Sequence, residues 1–298
     1  MRAAIARSGD PFKAEKVWGL IFVLPLTLGF LIFNLYPLVA SVFLSFTDYD
    51  IYNPPGFVGF RNYVALTQDA RFWKVMKNTV VYMLGNVPLQ IVFSLILASL
   101  LNNKIPGIYI YRTAIFVPVV TSWVAAGVAL RWILASEVGL LNQLLSYVGI
   151  QGPPWLREPG WAMFSIILAN LWKGVGYNTM LYLAGLQDIP AEIHDAVHVD
   201  GAGRLQKAFH ITIPMLRATT FFVATLSIIN SFQVFENIYV MTQGGPMDST
   251  RVIVYHLWQT GFMFLRMGEA SAVAWFLFAL IFIVTFVRWR ASEGGYVA

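Results

Sequence analysis

The sequence predicts an all-α polytopic membrane protein with six transmembrane helices, and composition and residue pattern both support this fold class. Of the 298 residues, 58% are hydrophobic and only 12% are charged, whereas a soluble domain has about 25% charged residues. The apolar residues also form runs long enough to cross a bilayer core, which needs about 20 residues per helix. An ordinary soluble domain is therefore excluded.

Six apolar runs define the expected spans, and we treat 1–298 as a single transmembrane domain. The first two runs contain no Asp, Glu, Lys or Arg, whereas Lys173 interrupts the fourth and Glu236 the fifth. The first run is more than twice as long as a signal-peptide core of roughly 7 to 15 residues, so it is expected to be a retained helix. The predicted spans are about 17–47, 78–103, 113–133, 161–186, 218–241 and 270–289.

Lys and Arg are distributed unequally between alternate loops. With the N-terminus inside, eleven of them lie on that side and seven on the other, and cytoplasmic loops are usually the more basic ones. Both termini are therefore expected in the cytoplasm. The exterior loops, at about 48–77, 135–160 and 242–268, suit short re-entrant or interface-lying segments. The net charge of +5 forms no Lys/Arg-rich run, which favours a membrane surface over nucleic acid as its partner.

The cytoplasmic loop 187–217, between the fourth and fifth spans, predicts a short surface helix at about 191–199. Pro190 suits a first helical turn, and Glu192 and Asp195 lie where a helix N-terminus favours negative charge. Gly201 then allows the chain to turn. A short exposed helix in this position is typical of a docking element.

Metal-binding and catalytic motifs are missing from the sequence. His194 and His198 are four residues apart, but the chain has only two further His and no Cys, too few ligands for a closed metal site. No GxxxxGK[ST], GxSxG or HExxH pattern occurs, so neither nucleotide binding nor hydrolysis is expected. We expect a chain that is not an enzyme and has no cofactor of its own.

FVGFRNY occurs at 57–63, GLLNQLL at 139–145 and GGP at 244–246, and the loop between the fourth and fifth spans contains DAV at 195–197 and DGA at 200–202. Over about residues 17 to 290, these motifs resemble those of the permease subunits of bacterial ATP-binding cassette (ABC) importers, in the carbohydrate-uptake branch of the maltose and glycerol-phosphate type. Asp195 stands where Glu is usual, and Val197 where Ala is usual. The residues that resemble the EAA loop of this family are Asp195, Ala196, Val197, Asp200, Gly201, Ala202, Phe209, Ile213 and Pro214.

This resemblance implies a subunit that translocates a sugar or sugar derivative by alternating access in the bacterial cytoplasmic (inner) membrane. The implied partners are a dimer of ATP-binding subunits, which would bind ATP and Mg, a second homologous permease, an extracytoplasmic solute-binding protein, a sugar-class solute and membrane lipid. The loop would act as a coupling helix against the ATP-binding subunit. The residues implied in that contact are Glu192, Asp195, Ala196, Asp200, Gly201 and Ala202.

Two polar stripes interrupt the apolar spans. One lies on a single face of the fourth span, and a broader one, which includes Glu236 and Asn237, lies on the fifth. Amides and hydroxyls can bind sugar hydroxyls, but they can also join packed helices. By the resemblance, the residues expected along the solute pathway are Asn170, Lys173, Gly174, Tyr177, Ser227, Asn230, Ser231 and Gln233.

Three questions stay open at this stage. Lys173 and Glu236, the formal charges well inside spans, either pair with each other or leave Lys173 to attract an anionic solute. A self-sufficient secondary carrier or channel is the main alternative function, although no convincing internal repeat supports it. An intramembrane enzyme is a weaker alternative, because only Glu236 supplies an acid there.

Overall fold

The computed structural model describes residues 11–103, 106–190, 192–193 and 203–296. Within these ranges the regular elements are helices, and the one β contact is an isolated antiparallel bridge between Thr47 and Phe57. The α-helices are α1 (Pro11–Phe30), α2 (Tyr36–Ser45), α3 (Arg61–Gln68), α4 (Ala70–Leu101), α5 (Ile108–Val120), α6 (Trp123–Ile133), α7 (Leu140–Tyr147), α8 (Pro159–Gln187), α9 (Arg204–Lys207), α10 (Ile213–Met215), α11 (Arg217–Phe232), α12 (Glu236–Met241), α13 (Ile253–Trp258) and α14 (Met267–Tyr296).

Three of these segments are long and apolar enough to cross a membrane: Glu15–Ser45, Ala70–Leu101 and Met267–Arg290. Two bent pairs, α5 with α6 and Leu205–Met215 with α11, qualify when each pair is taken as one span. Helix α8 covers the predicted fourth span with 29 residues. The chain is therefore an integral membrane protein, while the number of six crossings stays a prediction.

The predicted third and fifth spans are not continuous helices. Helices α5 and α6 meet at 98°, because Ser122 caps a new helix by accepting a hydrogen bond from the Val124 amide. In the fifth span α11 ends at Phe232 and α12 begins at Glu236. The break lies inside the predicted span 218–241, and neither Pro nor Gly in the sequence marks it.

Each predicted exterior loop contains a short helix: α3, α7 and α13 respectively. Helix α7 follows Gly139 in an extended conformation, and Asn142 ties the loop together by donating to the Ser136 and Pro153 carbonyls at 2.9 and 3.3 Å. Short helical segments are therefore present in all three loops. Their depth relative to a membrane surface stays a prediction.

The described chain divides into two compact units, of which the first contains residues 1–66 and 260–275. In this unit, Asn62 donates from Nδ2 to the carbonyls of Ser45 and Thr47 at 2.9 and 2.8 Å. Trp275 donates from its indole to the Ser41 hydroxyl at 3.1 Å. The loop after α2 also accepts a backbone hydrogen bond from the Gly268 amide of α14, at the Tyr49 carbonyl. Side-chain and backbone hydrogen bonds thus join this loop, α2 and the first part of α14 without a sheet.

The second unit contains residues 67–259 and 276–298, and α4 and α8 form its centre. Two buried apolar clusters lie at opposite ends of this helix pair, one around Tyr82, Ile166 and Ile238 and the other around Ala98 and Tyr182. Buried polar side chains of α4 and α8 lie between the clusters along both helices. The unit therefore has a polar layer between two apolar layers.

Glycines allow close helix contact in this unit. A Cβ on Gly176 of α8 would overlap the carbonyl oxygen of Ile115 on α5, and one on Gly174 would lie 2.7 Å from Nε2 of Gln90 on α4. Gly160, in the first turn of α8, has nothing within 4 Å of the same position. Close contact with neighbouring helices thus begins beyond the first turn of α8, and it recurs at Gly185, where a Cβ would lie 2.5 Å from the Thr219 hydroxyl oxygen.

Candidate functional site

A cavity of about 470 Å³ opens at the polar layer of the second unit. Helices α4, α6, α8 and α11 and the break between α11 and α12 all contribute to its wall. The lining contains amides, a hydroxyl, aromatic rings and one carboxylate, with few aliphatic groups. The lining residues are Asn86, Gln90, Trp123, Asn170, Gly174, Tyr177, Asn178, Ser227, Asn230, Gln233, Val234, Phe235, Glu236 and Asn237.

One part of the lining is held by hydrogen bonds between α4 and α8. Asn170 donates from Nδ2 to Oδ1 of Asn86 at 2.9 Å, and Asn178 donates to Oε1 of Gln90 at 3.1 Å. Gln90 in turn donates to the Asn170 carbonyl at 3.0 Å. These amides satisfy one another within a low-dielectric environment, where an unpaired amide is costly.

The same network extends to α11. Asn86 donates from Nδ2 to the Ser231 hydroxyl at 3.0 Å, and the Ser231 hydroxyl donates to the Ser227 carbonyl at 2.7 Å. Ser231 is 1% exposed and is not among the lining residues. Its contacts fit the alternative in which polar residues join packed helices.

A second part of the lining projects into the cavity without such anchoring. Tyr177, Asn230, Gln233 and Glu236 are exposed side chains, and no hydrogen bond or ion pair joins their polar atoms to the described part of the chain. Amides donate and accept, the carboxylate accepts, and a ring offers an apolar face. This combination can bind a polyhydroxylated solute.

Lys173 lies close to the cavity but outside its lining. Its ammonium donates to the Val119 carbonyl at 3.1 Å and lies 5.4 Å from the centre of the Trp123 ring. None of the ion pairs within 4.0 Å in the described residues joins Lys173 to Glu236. A direct Lys173–Glu236 ion pair is therefore not found in the described residues. The Lys173 ammonium instead contacts a backbone carbonyl and an aromatic ring.

Six of the eight residues expected along the solute pathway line this cavity. They are Asn170, Gly174, Tyr177, Ser227, Asn230 and Gln233, whereas Lys173 and Ser231 lie outside it. The structure brings the six together, while their role in transport stays a prediction. The Gln90 side chain lies against Gly174, where a Cβ would be 2.7 Å from its Nε2.

Sequence reasoning missed the contribution of α4 to this site. Asn86, Gln90 and Ser94 are spaced four residues apart and so lie on one face of α4. Asn86 and Gln90 are each 2% exposed, and Ser94 is fully buried. This i, i+4, i+8 stripe was the available signal, but a search for charged interruptions does not detect neutral amides. Trp123 was also missed, because it is the first residue of α6 beyond an unforeseen bend.

The coupling loop is only partly described. Glu192 is exposed in a short helical segment that follows Pro190, and the Ile193 amide donates to the Pro190 carbonyl at 3.2 Å. The remaining coupling candidates lie outside the described residues, as do most of the predicted helix 191–199 and both His194 and His198. These candidates are Asp195, Ala196, Asp200, Gly201 and Ala202. No group of three metal-binding side chains occurs in the described ranges.

A polar turn at residues 242–252 is fastened to the first turns of α4. Asp248 accepts hydrogen bonds from Arg71 and Arg251, both at 3.1 Å, and Lys74 donates to the Met247 carbonyl at 2.7 Å. Asn78 donates to the Asp248 and Arg251 carbonyls at 2.7 and 3.0 Å. The turn has a closely defined shape because its backbone is held at several points.

Two ionisable groups beside this turn are affected by burial. Burial lowers the pKa of Arg251, and the Asp248 carboxylate opposes that change. Burial also lowers the pKa of His256 below its ordinary value of 6.5, and the positive charge of Arg251 adds to the effect. His256 is therefore kept neutral to lower pH than a histidine in water.

Fold and site define a class: an all-helical integral membrane protein with a polar cavity between its helices. Residues 78–291 match the family model described as "Binding-protein-dependent transport system inner membrane component". The chain is 36% identical over 286 residues to the probable ABC transporter permease protein YesP of Bacillus subtilis, covering 94% of this chain and 92% of the relative. The chain belongs to this family of transport permeases.

Other relatives have similar coverage. The chain is 33% identical to the arabinooligosaccharides transport system permease protein AraP of Bacillus subtilis, over 97% of this chain and 94% of AraP. It is 34% identical to the lactose transport system permease protein LacF of Rhizobium radiobacter, over 92% of this chain and 94% of LacF. A chain of a bacterial ABC transporter involved in alginate import has the same fold, with a TM-score of 0.81 and 24% identity. The match covers 94% of this chain and 97% of the transporter chain.

Proposed function

We propose that this chain is a membrane-spanning permease subunit of a sugar importer, and that its polar cavity is part of the solute pathway. The observation that carries this proposal is the cavity lining: in a member of a transport family, unanchored amides and an aromatic ring face a space between helices. Groups of these types bind hydroxylated ligands. ATP and Mg would be bound by a separate subunit.

The names of the relatives support a sugar as the solute class. AraP is named for arabinooligosaccharides and LacF for lactose, and the permease SmoG of Agrobacterium fabrum, 32% identical, is named for sulfoquinovosyl glycerol. These solutes share many hydroxyl groups. A cavity rich in side chains that both donate and accept hydrogen bonds suits that shared chemistry.

We propose alternating access as the mechanism, with six spans and both termini in the cytoplasm of a bacterium, the protein lying in its inner membrane. The helix breaks at 121–122 and 233–235 both border the cavity through Trp123 and Gln233. Breaks of this type can absorb rigid-body movement of the helices beside them. Movement at these two places would open the cavity to each side in turn.

The loop 187–217 would transmit the movement from the ATP-binding subunits. The family resemblance of Asp195, Ala196, Asp200, Gly201 and Ala202 supports this assignment, and the exposure of Glu192 agrees with it. The other proposed partners are a second homologous permease and an extracytoplasmic solute-binding protein. Coupling requires that the ATP-binding subunits contact the permease differently in its two conformations. This loop would supply that contact.

Purification of the natively expressed, tagged chain in mild detergent tests the proposal. Mass spectrometry should detect a P-loop ATPase and a second permease, and sugar-dependent uptake should stop when the Walker lysine of that ATPase is replaced by Ala. Uptake that persists without a functional ATPase would overturn the importer and favour the self-sufficient carrier. The Walker variant must assemble as the wild type does, which size-exclusion chromatography controls.

A further inference from the structure

The cavity has one formal charge among its described lining residues, and that charge is negative. Glu236 is the first residue of α12, and its exposed side chain follows directly after the helix break. Its neighbours on the wall, Gln233 and Asn237, are neutral, and so are Asn170 and Asn230 on the facing helices. A solute in this cavity therefore meets a carboxylate without a compensating cation in the lining.

Lys173 interacts electrostatically with this carboxylate, but the two side chains do not form an ion pair within 4.0 Å in the described residues. The Lys173 ammonium is already committed to the Val119 carbonyl at 3.1 Å and lies over the Trp123 ring. The Asp248 carboxylate, by contrast, has two arginine partners, each at 3.1 Å. Glu236 is thus a carboxylate with free acceptor positions inside a cavity.

We propose that Glu236 is a specificity-determining residue that favours neutral, polyhydroxylated solutes and disfavours anionic sugars. This inference rests on the proposed function of the chain as a sugar permease. It assigns a charge preference to the cavity that is opposite to the preference expected if Lys173 faced the solute.

The chemistry of a carboxylate supports this preference. Its two oxygens can accept hydrogen bonds from two adjacent hydroxyls of one sugar, and bonds to an ionised acceptor are stronger than neutral ones. Asn230 and Gln233 can complete the contacts as donors, and the Tyr177 ring can lie against the apolar face of a pyranose. A carboxylate or sulfonate on the solute would instead be repelled, because like charges in a site of reduced dielectric interact strongly.

Family membership does not determine the charge of the solute. LacF is named for a neutral sugar, whereas SmoG is named for a sulfonated one, and the chain is similarly related to both, at 34% and 32% identity. The charge preference of this permease must therefore be sought in its own residues and partners rather than in the family. Glu236 is the charged candidate in the described lining of its cavity.

Equilibrium dialysis of the purified complex, without a binding protein, tests the inference directly. The probes are radiolabelled disaccharides paired with their own aldonic acids: lactose with lactobionate, maltose with maltobionate and cellobiose with cellobionate. The members of each pair share the non-reducing sugar ring, and the aldonate differs by one negative charge and by an open chain in place of the reducing ring. The wild-type complex should bind the neutral member at least about tenfold more tightly.

Glu236→Gln should reduce this preference about tenfold, whereas Glu236→Asp should retain it because the charge remains. Glu137→Gln is the matched control, since it removes an exposed carboxylate outside the cavity, and it should leave the preference unchanged. An unchanged preference in an assembled Glu236→Gln complex would overturn the inference. If the wild-type complex binds neither member of any pair, the proposed sugar pathway fails instead.

Discussion

Helix α4 is held by two different kinds of chemistry at two places along its length. In its first turns, Arg71 and Lys74 bind the turn at 242–252 through charged groups. In its middle, Asn86 and Gln90 bind α8 and α11 through neutral amides. The Arg71 side chain is 50% exposed, whereas Asn86 and Gln90 are almost fully buried.

The difference follows from the cost of burying charge. A charged group loses much of its hydration energy in a low-dielectric interior, and its partner repays that loss only with good geometry. A neutral amide loses less and recovers it with ordinary hydrogen bonds. The charged contact is therefore used where solvent reaches the helix, and the amide contact where neighbouring helices surround it.

The largest loss of stability is expected from a substitution where α8 packs closely against α5. Gly176→Ala would force α8 away from the Ile115 carbonyl and should lower the free energy of unfolding by about 3 kcal/mol. Gly160→Ala, on the same helix but with open space around it, should change stability by less than about 0.5 kcal/mol. Thermal unfolding of the purified complex compares the two, and equal midpoints would contradict the close contact.

A smaller loss is expected when an amide of the central network is removed. Asn86→Leu leaves the Asn170 amide without its acceptor and removes the donor to the Ser231 hydroxyl, which keeps its bond to the Ser227 carbonyl. This change should cost about 1–2 kcal/mol. Asn230→Leu is the control, because Asn230 lines the same cavity without an anchoring bond. Asn230→Leu should impair solute binding with little loss of stability. If Asn230→Leu unfolded at a lower temperature than Asn86→Leu, the distinction between anchored and unanchored lining residues would be refuted.

The charged turn should contribute less and depend on salt. Asp248→Asn weakens the contacts of Asp248 with Arg71 and Arg251 and should cost about 0.5–1 kcal/mol at low ionic strength. At about 1 M salt the difference from wild type should shrink, because salt screens the contact with Arg71, whose side chain is 50% exposed. The contact with the buried Arg251 should be less sensitive to salt. Glu137→Gln, which breaks a pair whose side chains are 68% and 74% exposed, should have almost no effect. A salt-independent loss in Asp248→Asn would contradict a solvent-accessible contact.

The smallest expected effect is a dependence on pH beside the same turn. Because the pKa of His256 is below its ordinary value of 6.5 in the folded chain, the unfolded chain binds its proton first as pH falls. The stability due to neutral His256 is therefore complete above about pH 6.5 and is lost as pH falls through the folded pKa. His256→Gln should reduce the drop in unfolding midpoint between about pH 7.5 and 5. A drop of the same size in the variant would exclude His256 as its cause.

Much of the fold could be predicted from the sequence, because an apolar run of about 20 residues indicates a membrane-spanning helix. Helix α8 fits its predicted span 161–186 within two residues at each end. The break after Phe232 could not be predicted, because the local sequence favours a continuous helix and the break depends on packing around the cavity. The bend before Trp123 had a weak signal in Ser122, a good helix cap.

The candidate site was predictable on two of its helices only. Ser227 and Asn230 on α11 and Asn170 and Tyr177 on α8 stood out as polar residues at helical spacing, and these four line one cavity. Gln90 was not recognised, since an amide in an apolar run looks the same whether it faces lipid or a neighbouring helix. Only the spatial relation of α4 to α8 distinguishes the two.

The division of the cavity lining into anchored and unanchored groups bears on how such a permease can evolve. A substitution at Asn170 or Gln90 changes the solute contact and breaks the helix contacts together, so it needs compensating changes nearby. Asn230, Gln233 and Glu236 have no such bonds within the described chain. Solute preference can therefore diversify through single substitutions at these three positions while the helices keep their arrangement.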